Sequence, residues 1–229
     1  IKELGGLTLG SINGAFALTV NTLGSGITTF GGAVGNNTNL TSLTTTPTAG
    51  AAGVTISGGS IATTGDLSLG NAITLGANTT LTSANAITLG TAITGAGFSL
   101  SITNNAVITA DISGFSSITI GGTTSLGGNV TTTGAQTYTG AVTMTADRTL
   151  TSSSNGAINL AAVNGANALT ISNGSGAITL STVGATTPLT TLTLQGTGLN
   201  TLNGDINTTG AVDLKGTSRQ NTFAANRTI

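Results

Sequence analysis

Cysteine, histidine and tryptophan are absent from this 229-residue chain, proline occurs only twice, and charged residues make up 5% of it. Each absence removes a class of chemistry. Without cysteine there is neither a disulfide framework nor a thiolate metal site. Without histidine there is no imidazole to act as general base, so the abundant Ser and Thr hydroxyls have no partner to activate them. The basic residues are Lys2, Arg148, Lys215, Arg219 and Arg227, and none lies between Leu4 and Asp147. Phosphate backbones and anionic lipid surfaces are held chiefly by Lys and Arg, so neither nucleic acid nor a charged membrane surface is expected as a partner. No apolar run approaches the roughly 18 residues of a spanning helix, and membrane insertion is not expected.

The acids are equally sparse: Glu3, Asp66, Asp111, Asp147, Asp205 and Asp213. Hydrolysis of a sugar bond needs two carboxylates facing one another across about 5 to 10 Å. On a coil of about 20 residues, Asp66 stacks near Ala86, Asp111 near Thr131 and Asp147 near Asn167, so no two acids share a column. An enzyme is not expected, and a β-helical polysaccharide enzyme is the weakest of the functional readings. Calcium-binding nonapeptide solenoids need an Asp in every repeat, which "SGGSIATTGD" and "LNGDINTTG" lack. Neither metal nor cofactor is therefore expected. Asp147 and Arg148 read as an exposed pair worth under about 1 kcal/mol.

What the chain does contain is Gly (36 residues), Thr, Ser, Asn and aliphatics, with 38% hydrophobic residues overall. Thr favours strands, while Gly and Asn favour corners and left-handed turns. Alternating phrases such as "ITL" (Ile73–Leu75, Ile87–Leu89, Ile178–Leu180) and "SLSIT" (Ser99–Thr103) read as short strands with one face buried. Corners such as "TNNA" and "SNGSG" separate them.

Repetition occurs on two scales. "GSIATTGDLSLGNAITLGANTTLTS" (Gly59–Ser83) aligns without a gap to "GNVTTTGAQTYTGAVTMTADRTLTS" (Gly128–Ser152), 69 positions on. A third copy opens at "GDINTTGAVDL" (Gly204–Leu214), and "NTNLTSL" (Asn37–Leu43) is the trace of an earlier one. The chain opens on Ile1 and breaks off inside the third "ANRTI" phrase. It therefore reads as one solenoid segment, 1–229, of a longer repetitive polypeptide, with module copies near 1–58, 59–127, 128–203 and 204–229.

The shorter scale sets the fold. Apolar columns run Val20, Leu40, Ile61, Leu81, Ile102 and Val130, Leu150, Ile171, Leu192, Val212 at steps of 20 or 21. A third is Tyr138, Ile158, Ile178, Leu199, beside a glycine column Gly156, Gly176, Gly196. A unit of this length cannot bury its own apolar face, but stacked copies can. The expected fold is all-β: a parallel β-solenoid of the right-handed β-helix kind, with rungs of about 20 residues spaced about 4.8 Å apart. A string of β-sandwich domains would show longer strands and a core aromatic instead. Loops or irregular rungs are expected between Ile102 and Val130, after Leu199, at the Pro-containing "TTTPTAGAAG" (Thr44–Gly53), and wherever the 69-residue module fails to be a whole number of rungs. Asn85 and Asn105 are expected to stack at a corner, and Phe98, Phe115 and Tyr138 to fill the core or stack on one another rather than form a ligand box.

The phrases "LTVNTLGSGITTFGGAVGNNTNLTSL" (Leu18–Leu43), "TTGAQTYTGAVTMTADRTLTS" and "LTLQGTGLNTLNGDINTTGAVDL" (Leu192–Leu214) resemble the β-strand repeats of giant bacterial surface proteins. These are the filamentous-haemagglutinin-like and related adhesins, secreted by two-partner or autotransporter-type routes. The resemblance covers most of the chain and is one of repeat wording. It implies a β-helical, extracellular, structural or adhesive role at the bacterial cell surface, although the N-terminal secretion domain of those families is not recognisable here.

The outward strand positions are where binding would reside. Thr149 and Thr151, Thr170 and Ser172, and Thr191 and Thr193 fall in successive rungs, so their hydroxyls should form two parallel rows confined to the second half of the chain. Such rows could serve a carbohydrate- or ice-binding face. They equally follow from Thr being a favoured polar residue for an outward strand position. The partners expected are identical chains, joined end to end at the edge rungs around "LTLGSI" and "NTFAANRTI" or laterally, and a glycan or cell-surface receptor.

Overall fold

The computed structural model describes residues 1–3, 6–22, 25–47, 53–214 and 221–223. Among these residues there is no helix, and hence none long and apolar enough to cross a membrane. Short strands collect into three parallel sheets of nine, eleven and nine strands stacked along the coil, the two shorter ones being continued by single bridges through Ile12 and Val34 or through Val183 and Ile206. The chain visits them in fixed rotation. Face I holds Ala17–Thr22, Ser42–Pro47 and Leu67–Leu69. Face II holds Leu7–Leu9, Thr28–Phe30 and Val54–Ile56. Face III holds Ser60–Thr63, Thr79–Ser83 and Leu100–Ile102, and the cycle continues through Asn221–Phe223. The fold is a three-faced β-solenoid.

Alternation explains which side chains enter. In the face III strand Leu100–Ile102 the outer residues are buried and Ser101 looks outward; Ile73–Leu75 on face II and Leu67–Leu69 on face I repeat the pattern. Each rung places its aliphatics directly over those of the rung before. The longest column on face III runs Ile12, Val34, Ile61, Leu81, Ile102, Ile120, Tyr138, Leu160, Leu180, Leu202. From Val34 onward every member is at most 3% exposed. At about 1.5–3 kcal/mol per fully buried aliphatic side chain, these columns are the main driving force of the fold.

Alternation fixes the face but not the register along the axis, and three expected columns change. Val20 lies on face I opposite Thr45, and Leu40 opposite Thr63, so neither belongs to the Ile61 column. Ile171 sits on Leu150 as expected, but its other neighbour is Leu194; Leu192 pairs with Leu169. Tyr138 pairs with Leu160 rather than Ile158, and Ile178 with Asn200. Leu199 is 42% exposed, whereas Asn200 is completely buried. The slips at Ile171 and Tyr138 amount to two residues, the smallest shift that leaves every side chain on its original side.

The irregular rung expected between Ile102 and Val130 is present. Between Ile102 and Tyr138 the rung shortens to 18 residues, through Ile102–Ile120–Tyr138. A bulge opposes Ser113 and Gly114 to Thr131, with Gly114 in the left-handed region at φ 74°. The Pro-containing phrase begins as a regular face I strand through Pro47; its residues 48–52 lie outside the described residues. After Leu199 the described strands continue in rotation through Asn200–Leu202 and Val212–Leu214.

The glycine column is real, with its last member moved from Gly196 to Gly198. A Cβ on Gly156 would overlap the carbonyl group of Gly134, one on Gly176 that of Gly156, and one on Gly198 that of Gly176. The corner between faces II and III therefore closes only if this position carries no side chain. A polar knot sits inside the same region. Gln136, fully buried, donates from Nε2 to the Thr151 carbonyl (2.8 Å) and the Val130 carbonyl (3.2 Å), while the Tyr138 hydroxyl donates to its Oε1 (3.1 Å). Burial pushes the Tyr138 phenol pKa well above its ordinary value, so it stays a neutral donor. Gln136→Leu should cost about 1–3 kcal/mol, because it leaves the buried Tyr138 hydroxyl without an acceptor. Adding Tyr138→Phe should recover part of that loss, a coupling that a double-mutant cycle in urea would read.

Candidate functional site

All six outward residues expected to carry binding are half-exposed on face II. Register rearranges them. One row is Thr149, Thr170, Thr193 and then Asp213; the other is Thr131, Thr151, Ser172 and Gln195. Thr191 lies beside Ala168 and joins neither row. The same two-residue slip that moved Leu192 moved these hydroxyls.

The expectation that the rows are confined to the second half is overturned. On face II the outward positions Thr8, Thr29, Thr55, Thr74, Thr94 and Ser113 lead up to the bulge, and the row resumes at Thr131. Their steps of 21, 26, 19, 20 and 19 residues hide the row from a count at constant period. The detectable signal was the Thr at the centre of "LTL", "TTF", "VTI" and "ITL". Face III carries Ser60, Thr80, Ser101, Thr119, Thr137, Asn159, Thr179, Thr201. Face I carries Thr19, Thr44, Ser68, Thr88, Val107, Ser125, Thr143, Asn164. Hydroxyl rows on all three sides are what strand preference alone would produce.

Three of the carboxylates hold corners. The Asp66 carboxylate accepts from Asn85 Nδ2 (2.7 Å), Asp111 from the Asn129 backbone N–H (2.8 Å), and Asp147 from the Ala168 N–H (2.8 Å). Arg148 reaches backbone carbonyls, Nε donating to Gly127 (2.7 Å) and Nη1 to Asp147 (3.0 Å). The expected Asp147–Arg148 pairing is thus made through the Asp147 carbonyl, the carboxylate being turned to the next rung. Asn side chains do the same work: Asn78 accepts from the Ser99 N–H, Asn105 from Thr123 and Asn155 from Ser175. The expected stack of Asn85 on Asn105 is replaced by these contacts, with Asn104 Nδ2 reaching back to the Ser83 carbonyl (2.8 Å). Nothing in the sequence marks Asn78 and Asn155 as such acceptors, because a corner Asn looks the same whether it faces solvent or the next rung.

The backbone and side-chain hydrogen bonds from Asn129, aided by Arg148, hold the Asp111 carboxyl below its ordinary pKa of 3.8. A lowered folded-state pKa contributes stability that is present above the unfolded value and lost as pH falls through the folded one. Wild-type protein should therefore lose a little stability below about pH 4 that Asp111→Asn does not, in urea titrations at successive pH values. The difference should be small because the carboxylate is exposed.

Among the described residues no three His, Cys, Asp or Glu side chains gather where a metal ion could be held. A cleft of about 670 Å³ lies along the Val183–Ile206 bridge of face I, lined by Thr182, Ala185, Asp205, Asn207 and Thr208 as well. It contains a single carboxylate and no basic side chain. Phe115 and Tyr138 are buried and Phe98 packs against the core, so none of the three forms an exposed stacking platform. Comparison with family models, curated proteins and solved structures finds no match to this chain.

Proposed function

We propose that this chain is a segment of a structural or adhesive rod displayed outside a bacterial cell. The observation that carries this reading is the three-sheet coil, continuous through residues 53–214, with faces almost free of charge. Backbone hydrogen bonds run along the axis in all three sheets, and side-chain bonds tie successive corners, an arrangement suited to bearing load. Sparse charge lowers repulsion against cells, matrix or identical chains. The described end rungs also hold aliphatics that are only partly covered: Leu9 and Ile12 at one end, Val212 and Leu214 at the other. The resemblance to haemagglutinin-like repeats supplies the extracellular setting.

The test is sedimentation of the 229-residue chain over a wide concentration range, together with binding of the immobilised protein to cells and glycan arrays. Concentration-dependent assembly or saturable surface binding is expected. A strictly monomeric species with protected terminal amides and no surface binding would remove the reading. A carbohydrate- or ice-binding rod is the second reading, favoured by the length of the face II hydroxyl row. It requires glycan or ice-recrystallisation activity that Thr170→Tyr abolishes while folding is retained.

A further inference from the structure

The long sequence module and the three-faced coil do not share a period, and their mismatch follows a rule. Counting strands and single-residue bridges in rotation, the inward residue Ile61 on face III corresponds to Val130 on face II, eleven strands later. Val130 corresponds in turn to Ile206 on face I, again eleven strands later, although the residue offset is 69 in one case and 76 in the other. The corners that follow are built alike. Thr63 Oγ1 donates to the Gly65 carbonyl (2.8 Å), Thr132 to Gly134 (2.7 Å) and Thr208 to Gly210 (2.8 Å), at three different corners of the coil.

A second phrase obeys the same count. "INGAFALT" (Ile12–Thr19), "ITGAGFSLS" (Ile93–Ser101) and "VNGANALT" (Val163–Thr170) begin on faces III, II and I at eleven-strand intervals. The first and third make matching contacts with the rung above. Asn13 Oδ1 accepts from Asn37 (2.8 Å) and Thr38 (3.4 Å), and Asn164 Oδ1 from Thr186 (2.9 Å) and Thr187 (3.4 Å). Gly35 and Gly184 then take φ of 73° and 70°.

We infer that the eleven-strand module is an interchangeable unit that rotates everything after it by one face of the rod. Eleven strands on three faces are one strand short of four turns. Each copy therefore moves the next about 18 Å along the axis, at about 4.8 Å per turn, and one face back. An interaction surface built from module residues is accordingly a track winding round the rod, returning to its starting face after three modules. The inference holds whether the rod is structural or adhesive.

The experiment is removal of residues 61–129, one module, in the otherwise complete chain. Thr44 normally neighbours Ser68 on face I. In the shortened chain the position of Ser68 passes to Thr137, which in the native coil lies on face III beside Thr119. Since the chain has no native cysteine, Thr44→Cys with Thr137→Cys should form a disulfide on mild oxidation of the shortened protein and none in the full-length one. If downstream strands instead kept their native faces, Thr143 would come over Thr44, and Thr44→Cys with Thr143→Cys would be the pair that closes. That result, or a folded shortened chain in which neither pair closes, overturns the inference. Should the shortened chain not fold, a chain with residues 61–129 duplicated after Asn129 decides: the same circular dichroism per residue and cooperative melting support interchangeability, and loss of either rejects it.

Discussion

Ile171→Asp is expected to unfold the C-terminal part of the rod, its strand being the ninth of the eleven on face II. Ile171 is fully buried and stacked between Leu150 and Leu194, so a carboxylate there has neither water nor a cationic partner. An unpaired buried charge is strongly unfavourable, and the group protonates or drags its strand outward; a loss of about 4 kcal/mol or more is expected. Each rung of a solenoid is held by its two neighbours, so the damage should spread to the rungs of Leu150 and Leu194 before it reaches the ends. Hydrogen exchange resolved by peptide would show this as lost protection around Leu150, Ile171 and Leu194, with the N-terminal rungs still protected. Thr170→Asp, one residue away on the outward side, should cost about 1 kcal/mol, mainly from the poor strand preference of Asp. Equal effects of the two substitutions would contradict the inward assignment of Ile171.

Gly156→Ala is expected to be nearly as damaging, although it adds a single methyl group. The new Cβ would overlap the carbonyl carbon and oxygen of Gly134 and the backbone nitrogen of Ala135. Backbone atoms of a neighbouring rung cannot rotate away as a side chain can. The corner must open, pulling apart the ladder pairs Gln136–Ile158 and Thr137–Asn159 that follow it. Overpacking of this kind costs about 3 kcal/mol, and more where several corners stack. Gly10→Ala is the control. A Cβ on Gly10 meets nothing within 4 Å, so the change should stay within about 0.5 kcal/mol. Urea denaturation midpoints of both variants against the parent chain give the comparison.

Much of this protein is legible in its sequence. Alternation in "ITL" and "SLSIT" settled which residues face inward, because side chains on a strand point to opposite sides in turn whatever the strand pairs with. Recurrence near 20 residues set the solenoid, since no single unit could bury its aliphatics alone. The missing histidine and cysteine and the scattered acids left no catalytic or metal-binding pattern to propose. What alternation cannot convey is which residue of one rung lies over which residue of the next. A shift of two residues leaves every hydrophobic side chain inside, so Leu192 and Leu194 are equivalent to the eye, as are Gly196 and Gly198. Backbone pairing and corner length chose between them, along with contacts such as Asp147 to Ala168 that join residues 21 positions apart. The same choice placed Asn200 in the core while Leu199 stayed outside, and joined the Thr residues of both halves into one row. The fold class was thus fixed by local chemistry, whereas the pattern presented on the surface depended on the sum of all the corner lengths, which only the stacked chain adds up.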